Sequence, residues 1–156
     1  MERPALVNRF LSLRRLAFVG VSRNAGDFSR ALFRDLVGRG YDMVPVNPHG
    51  LEALGRKSFA RVQDIEPPVE AALIMTPRAK TEDAVRDCIA AGVRFVWLHK
   101  GAGQGSVTPG ALELCREQGI EVVPGACPYM YLDHPGFVHS VHSFLRRLFG
   151  RTASAA

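Results

Sequence analysis

Glycines and small hydroxyls, rather than a nucleophile paired with a base, are the residues through which this chain could do chemistry. Gly20 and Gly26 bound a segment that also holds Ser22, with Ser29 just beyond it, and Gly101, Gly103 and Gly105 form a second cluster. Backbone N–H groups in such loops, together with Ser22, Ser29 and a helix N-terminus, can cradle a pyrophosphate without side-chain bulk in the way. Two familiar phosphate-binding patterns are absent. There is no G-x-x-x-x-G-K-[ST], hence no P-loop. G-x-G-x-x-G is missing too, because Gly20 is followed by Val21, Ser22, Arg23, Asn24, Ala25 and Gly26. The acid that a dinucleotide fold uses at the end of its second strand to hold a ribose is replaced by Asn47-Pro48, which makes NAD the second choice of nucleotide.

Other reactive residue types lead nowhere by spacing. Cys88, Cys115 and Cys127 are odd in number and lack metal-ligand spacing, and they read as reduced thiols of a cytoplasmic protein. Cys127 lies in a loop near the phosphate site that could lower its pKa, yet no base accompanies it, so packing is its favoured role. Cys88 falls on the core face of a helix. His134, His139 and His142 invite a metal, but zinc wants three or four ligands, and no Cys, Asp or Glu stands at a matching distance. Neither a metal site nor a catalytic residue is assigned.

The elements that must position the loops follow from periodicity. Apolar, β-rich runs at 16–21, 43–46, 71–75, 95–98 and 120–123 alternate with helical patterns, which argues for a parallel α/β sheet. The helix at 29–39 aligns Leu32, Phe33, Leu36 and Val37, and Gly40 suits its left-handed C′ position. Asn47-Pro48 stops the second run. Residues 49–70 form a connection with weak signals. A second helix starts near Lys80 or Thr81 and stops at Gly92, and Thr108-Pro109 caps a third that stops at Gly119. The pattern predicts a Rossmann-like, doubly wound parallel five-stranded sheet, with the runs in the order 3-2-1-4-5. Ligands would then bind at the switch point between the first and fourth runs, where the loops 20–29, 47–50, 76–80, 100–105 and 125–128 converge.

Composition sets the remaining bounds. At 156 residues, 47% hydrophobic and 22% charged, the chain is one ordinary domain, with a core at 16–128 and a last helix at about 135–149. No apolar run is long enough to span a bilayer, and the Arg-rich opening 1–15 lacks a secretory h-region. The net charge of +5 is spread along the chain without a nucleic-acid-binding pattern, which favours a small anionic ligand over DNA or RNA.

Four groups of residues carry a resemblance. They are Gly20-Val21-Ser22-Arg23 with Ser29, Gly40-Tyr41 leading to Asn47-Pro48, Thr76-Pro77 after the third run, and Cys127-Pro128 after the fifth. In this order and spacing, over roughly residues 16–128, the chain resembles the CoA-binding domain family, the small Rossmann-like domains similar to the N-terminal part of the succinyl-CoA synthetase α subunit. The resemblance implies coenzyme A or a CoA thioester as ligand. It implies that Gly20, Val21, Ser22, Arg23 and Ser29 receive the phosphates. Asn47, Pro48, Thr76 and Pro77 would line the adenosine side, Cys127 and Pro128 would close the crevice, and Lys100 and Gly101 would complete the set. His49 stands where many relatives place a lysine, and the segment after Cys127-Pro128 lacks the glutamate some carry. The related synthetases phosphorylate a histidine in a second domain that this sequence does not contain, so ligase activity in isolation is not expected.

Three readings remain: a stand-alone CoA-binding protein, an NAD-binding redox or regulatory protein, and an interaction protein with a vestigial site. The third would work through the helix at 135–149, where Phe137, Val138, Val141, Phe144, Leu145 and Leu148 form a broad apolar face suited to intrachain packing and to a homodimer contact.

Overall fold

A computed structural model describes residues 2–132. The helix expected at 135–149, its homodimer contact, and His134, His139 and His142 lie outside the described residues. The chain opens with α1 (Arg3–Ser12), then β1 (Arg15–Val19), α2 (Phe28–Gly38) and β2 (Asp42–Val46). A small hairpin follows, β3 (Glu52–Ala53) with β4 (Arg56–Lys57). After a 3-10 turn at Val62–Asp64 come β5 (Ala71–Ile74), α3 (Arg78–Ala90), β6 (Phe95–His99), α4 (Pro109–Glu117) and β7 (Glu121–Ala126). A 3-10 turn at Pro128–Met130 ends the regular structure among the described residues.

The sheet is parallel and five-stranded, as the alternation predicts, but its order is β2-β1-β5-β6-β7. The expected order 3-2-1-4-5 is therefore wrong: the second run is an edge strand, and the third run sits beside the first. Proline is the physical reason. Pro45 in β2 and Pro124 in β7 lack the N–H that a central ladder needs, and both edge strands carry one while β1, β5 and β6 carry none. The outer side of Pro45 is used through its carbonyl, which accepts from Phe59 N–H at 2.9 Å. A bridge between Val46 and Phe59 partly covers that edge.

Alternation along β1 sorts the two cores. Leu16 and Phe18 pack with Leu32, Phe33 and Leu36 of α2 and with Val7 and Phe10 of α1. Ala17 and Val19 face the other way, onto Ala84, Val85 and Cys88 of α3 and Ala111 and Cys115 of α4. Helices thus cover both faces of the sheet, as an all-parallel sheet requires. Helix α1 is a finding that the Arg-rich composition of the opening residues concealed. Its Phe10 ring meets Phe95 and Trp97 edge-on, each at 5.2 Å, an arrangement worth about 0.5–1.5 kcal/mol per pair beyond area burial. Arg9 holds the far end of the sheet through a bidentate pair with Glu121.

The helix ends follow the local rules. Gly40, at φ +87°, lets Tyr41 N–H reach Leu36 O and its own N–H reach Val37 O, the paired bonds of a Schellman turn. Thr108 caps α4 by accepting from Ala111 N–H at 3.0 Å, with Pro109 at the first helical position.

Candidate functional site

The observed strand order moves the switch point to the boundary between β1 and β5, whose connections leave in opposite directions. A cleft of about 1480 Å³ opens there, beyond the carboxyl ends of β1, β2 and β5. Of the residues implicated by resemblance, Gly20, Val21, Ser22, Arg23 and Ser29 line it on one side, and Asn47, Pro48, Thr76 and Pro77 on the other. Lys100, Gly101, Cys127 and Pro128 follow β6 and β7, farther along the sheet, and are not among the lining residues.

Gly20 makes the floor of the cleft possible. Its φ is +93°, and a Cβ there would stand 2.9 Å from both Met75 C and Thr76 N. The missing side chain thus lets the ends of β1 and β5 come together, a tighter demand than the open space for a phosphate that the sequence suggests. Beyond it, the loop binds itself. Ser29 Oγ accepts from Ser22 N–H, Ser22 Oγ from Asn24 N–H, and Asn24 Oδ1 from Gly26 N–H, each at 3.0 Å. Each serine spends an acceptor position on the loop and keeps its O–H as a donor. Arg30 donates to Ser22 O and Glu52 O, tying this loop to the hairpin.

Asn47 locks the second wall. Its Nδ2 donates to Val21 O at 2.9 Å, and its Oδ1 accepts from His49 N–H at 2.8 Å. The side chain at the end of β2 is therefore a structural clamp, with no carboxylate to take a ribose diol. On the third wall, Thr76 Oγ1 and Thr81 Oγ1 are 3.2 Å apart, and Ser106 Oγ donates to Thr76 O at 2.7 Å.

The charges around the cleft are mixed. Arg23 and Lys80 are exposed lining residues that carry no ion pair among the described residues. Arg61 also lines the cleft but is held by Asp64 through bonds of 3.0 and 3.3 Å. Asp27, Asp83 and Asp87 supply negative charge, and Asp87 accepts from Gln63. Sequence reasoning missed Ala60, Arg61, Asp83 and Asp87. The first two lie in the connection at 49–70, where no periodic signal places them. The two acids lie inside α3, one and two turns below the loop it was expected to serve.

The thiols are quiet. Burial pushes the Cys127 thiol up, and a backbone hydrogen bond at Tyr129 offsets this only in part. Burial raises Cys115 to about 11 and Cys88 higher still, the latter beside Cys115 and Asp87. A nucleophilic thiolate is not favoured at any of the three. Among the described residues no cluster of three His, Cys, Asp or Glu could hold a metal ion, and no helix is long and apolar enough to cross a membrane.

One buried titratable group adjoins the cleft. The strand read as ending at Leu98 runs on to His99, which is buried, and loss of hydration lowers its pKa from 6.5 to about 4. Its ring packs against Phe28, a cleft-lining residue, at 5.6 Å. Phe28 in turn meets Tyr129, whose hydroxyl donates to Asp35.

Several known proteins share this architecture. A hypothetical protein from Pyrococcus horikoshii OT3 superposes with a TM-score of 0.73 at 25% identity, over 82% of this chain and 87% of that one. The dinucleotide-forming acetyl-coenzyme A synthetase 1 of Ca. Korarchaeum cryptofilum, in its apo form, matches 70% of this chain with 25% of its own length, at 25% identity and a TM-score of 0.61. In sequence, the uncharacterized protein YneT of Bacillus subtilis (strain 168) is 25% identical over 114 residues, covering 73% of this chain and 82% of YneT. The family described as CoA binding domain matches residues 14–133, a span that holds every strand of the sheet and every wall of the cleft, and to that family the chain belongs.

Proposed function

We propose that the chain binds coenzyme A, free or as a thioester, with the nucleotide end in the cleft between β1 and β5. The observation that carries this reading is Asn47. An NAD-binding fold needs an acid near this point to hold the ribose, whereas here the residue is an amide with both ends engaged, to Val21 O and His49 N–H. The phosphates would meet the amide-rich loop 20–29 and the exposed cations Arg23 and Lys80. Ser22 and Ser29 would contribute through the O–H groups their internal bonds leave over. Reduced thiols suit a cytoplasmic protein.

Thermal unfolding of the full chain with CoA, NAD or ATP at equal concentration tests the reading. At a hundredfold excess over Kd, a ligand specific for the folded state adds about 2.7 kcal/mol. CoA is expected to raise the melting temperature most; equal or greater stabilisation by NAD would transfer the proposal to a dinucleotide site.

A further inference from the structure

His99 has no assigned role, and its surroundings give it one. It is 8% exposed, and its Nε2 is buried without a hydrogen-bond partner among the described residues. An orphaned polar atom costs stability, and a same-sized apolar side chain would avoid that cost. Loss of hydration keeps the imidazole neutral near pH 7, so one ring nitrogen can donate and the other accept. The ring lies one residue from the cleft: it packs on Phe28, which lines the cleft. Exposed Gly101 lies against the Cε1–Nε2 edge, where a Cβ would stand 3.4 Å from Cε1 and 3.8 Å from Nε2. Ser106 ties this corner to the cleft wall, its N–H bonding His99 O and its Oγ bonding Thr76 O, both at 2.7 Å.

Coenzyme A continues beyond its phosphates as a long arm that carries two amides and ends in a thiol or thioester. A ligand seated between β1 and β5 can extend that arm along the carboxyl edge of the sheet, and β6, which ends in His99, is the next strand. We propose that His99 reads this arm, its Nε2 forming a hydrogen bond with an amide or sulfur-bearing group when Phe28 or the loop at 100–105 gives way. The inference rests on the CoA reading of the cleft.

The test uses the full chain with ¹⁵N-labelled histidine, titrated with CoA and, separately, with adenosine 3′,5′-bisphosphate, which has the nucleotide end and lacks the arm. Both are expected to bind, and only CoA should shift the His99 ring-nitrogen resonances, which the spectrum of His99→Gln identifies. In His99→Leu, CoA affinity should fall about tenfold, the scale of a single interaction, while bisphosphate affinity holds and the melting temperature holds or rises, since the orphaned nitrogen is gone. A purely structural His99 would instead lower the melting temperature and weaken both ligands alike. Binding of both ligands with the His99 resonances unmoved overturns the inference and leaves the CoA reading standing. Binding of neither overturns the CoA reading and the inference with it.

Discussion

Gly20 and Thr76 approach so closely that a Cβ on the glycine would stand 2.9 Å from the threonine backbone nitrogen. Gly20 directly follows β1 and Thr76 lies two residues past β5, so this contact between neighbouring strand ends sets the depth of the cleft floor. Gly20→Val is accordingly a folding variant before it is a binding variant. The φ of +93° disfavours any side chain, and the β-carbon meets backbone that cannot rotate away. A loss of about 3 kcal/mol or more is expected in urea unfolding. A variant as stable as the wild type would show that the ends of β1 and β5 can part without cost.

Asn47→Asp separates the clamp from the ligand preference. The acceptor for His49 N–H remains, but the donor to Val21 O is lost. Stability should drop by about 1–3 kcal/mol, the cost of an unsatisfied group. The new carboxylate beside the phosphate loop should weaken CoA binding about tenfold, measured by calorimetry. A gain of NAD affinity past that of CoA would mean that the residue at this position alone sets nucleotide choice.

Lys80 is exposed, lines the cleft and has no ion pair among the described residues. Lys80→Glu should change stability by no more than about 0.5 kcal/mol. Its expected effect on CoA is a loss of roughly fivefold to tenfold at low salt that shrinks as salt screens the field. Salt-independent loss would argue for a direct packing role in place of charge.

Much of the fold could be read from residue pattern, because a period of two or of 3.6 reports local geometry. Thr108 and Gly40 mark their helix ends by side-chain chemistry and by φ, which are local properties too. Strand order is not local, yet Pro45 and Pro124 did carry it: each removes a ladder donor and so belongs at an edge. Helix α1 was hidden because Arg3 and Arg9 interrupt a short segment in which only Val7 and Phe10 are buried, too few positions to set a clear helical period. The cleft loops at 20–29, 47–48 and 76–77 were legible for the same reason as the strands they terminate. Arg61 was not, because its place depends on the hairpin and the bridge at Phe59. His99 was lost because an apolar run stops at the first polar residue, although the strand continues through it.

His99 also makes stability depend on pH in a defined direction. Its folded-state pKa is about 4, against 6.5 for an ordinary histidine, because the buried ring is poorly hydrated when charged. Between those values the unfolded chain binds a proton that the folded chain refuses, so stability falls as pH falls through this window and is fully present above it. From pH 7 to pH 5 the wild type should lose about 2 kcal/mol from this residue. His99→Gln has no such proton to take up, and its loss over the same range should be smaller by about that amount. Comparing the two chains cancels His49 and the histidines beyond residue 132, which both retain. Urea unfolding at pH 7, 6 and 5 gives the two slopes. Parallel slopes would mean that the imidazole gains a proton and a partner on acidification, by opening of the loop at 100–105 that covers it.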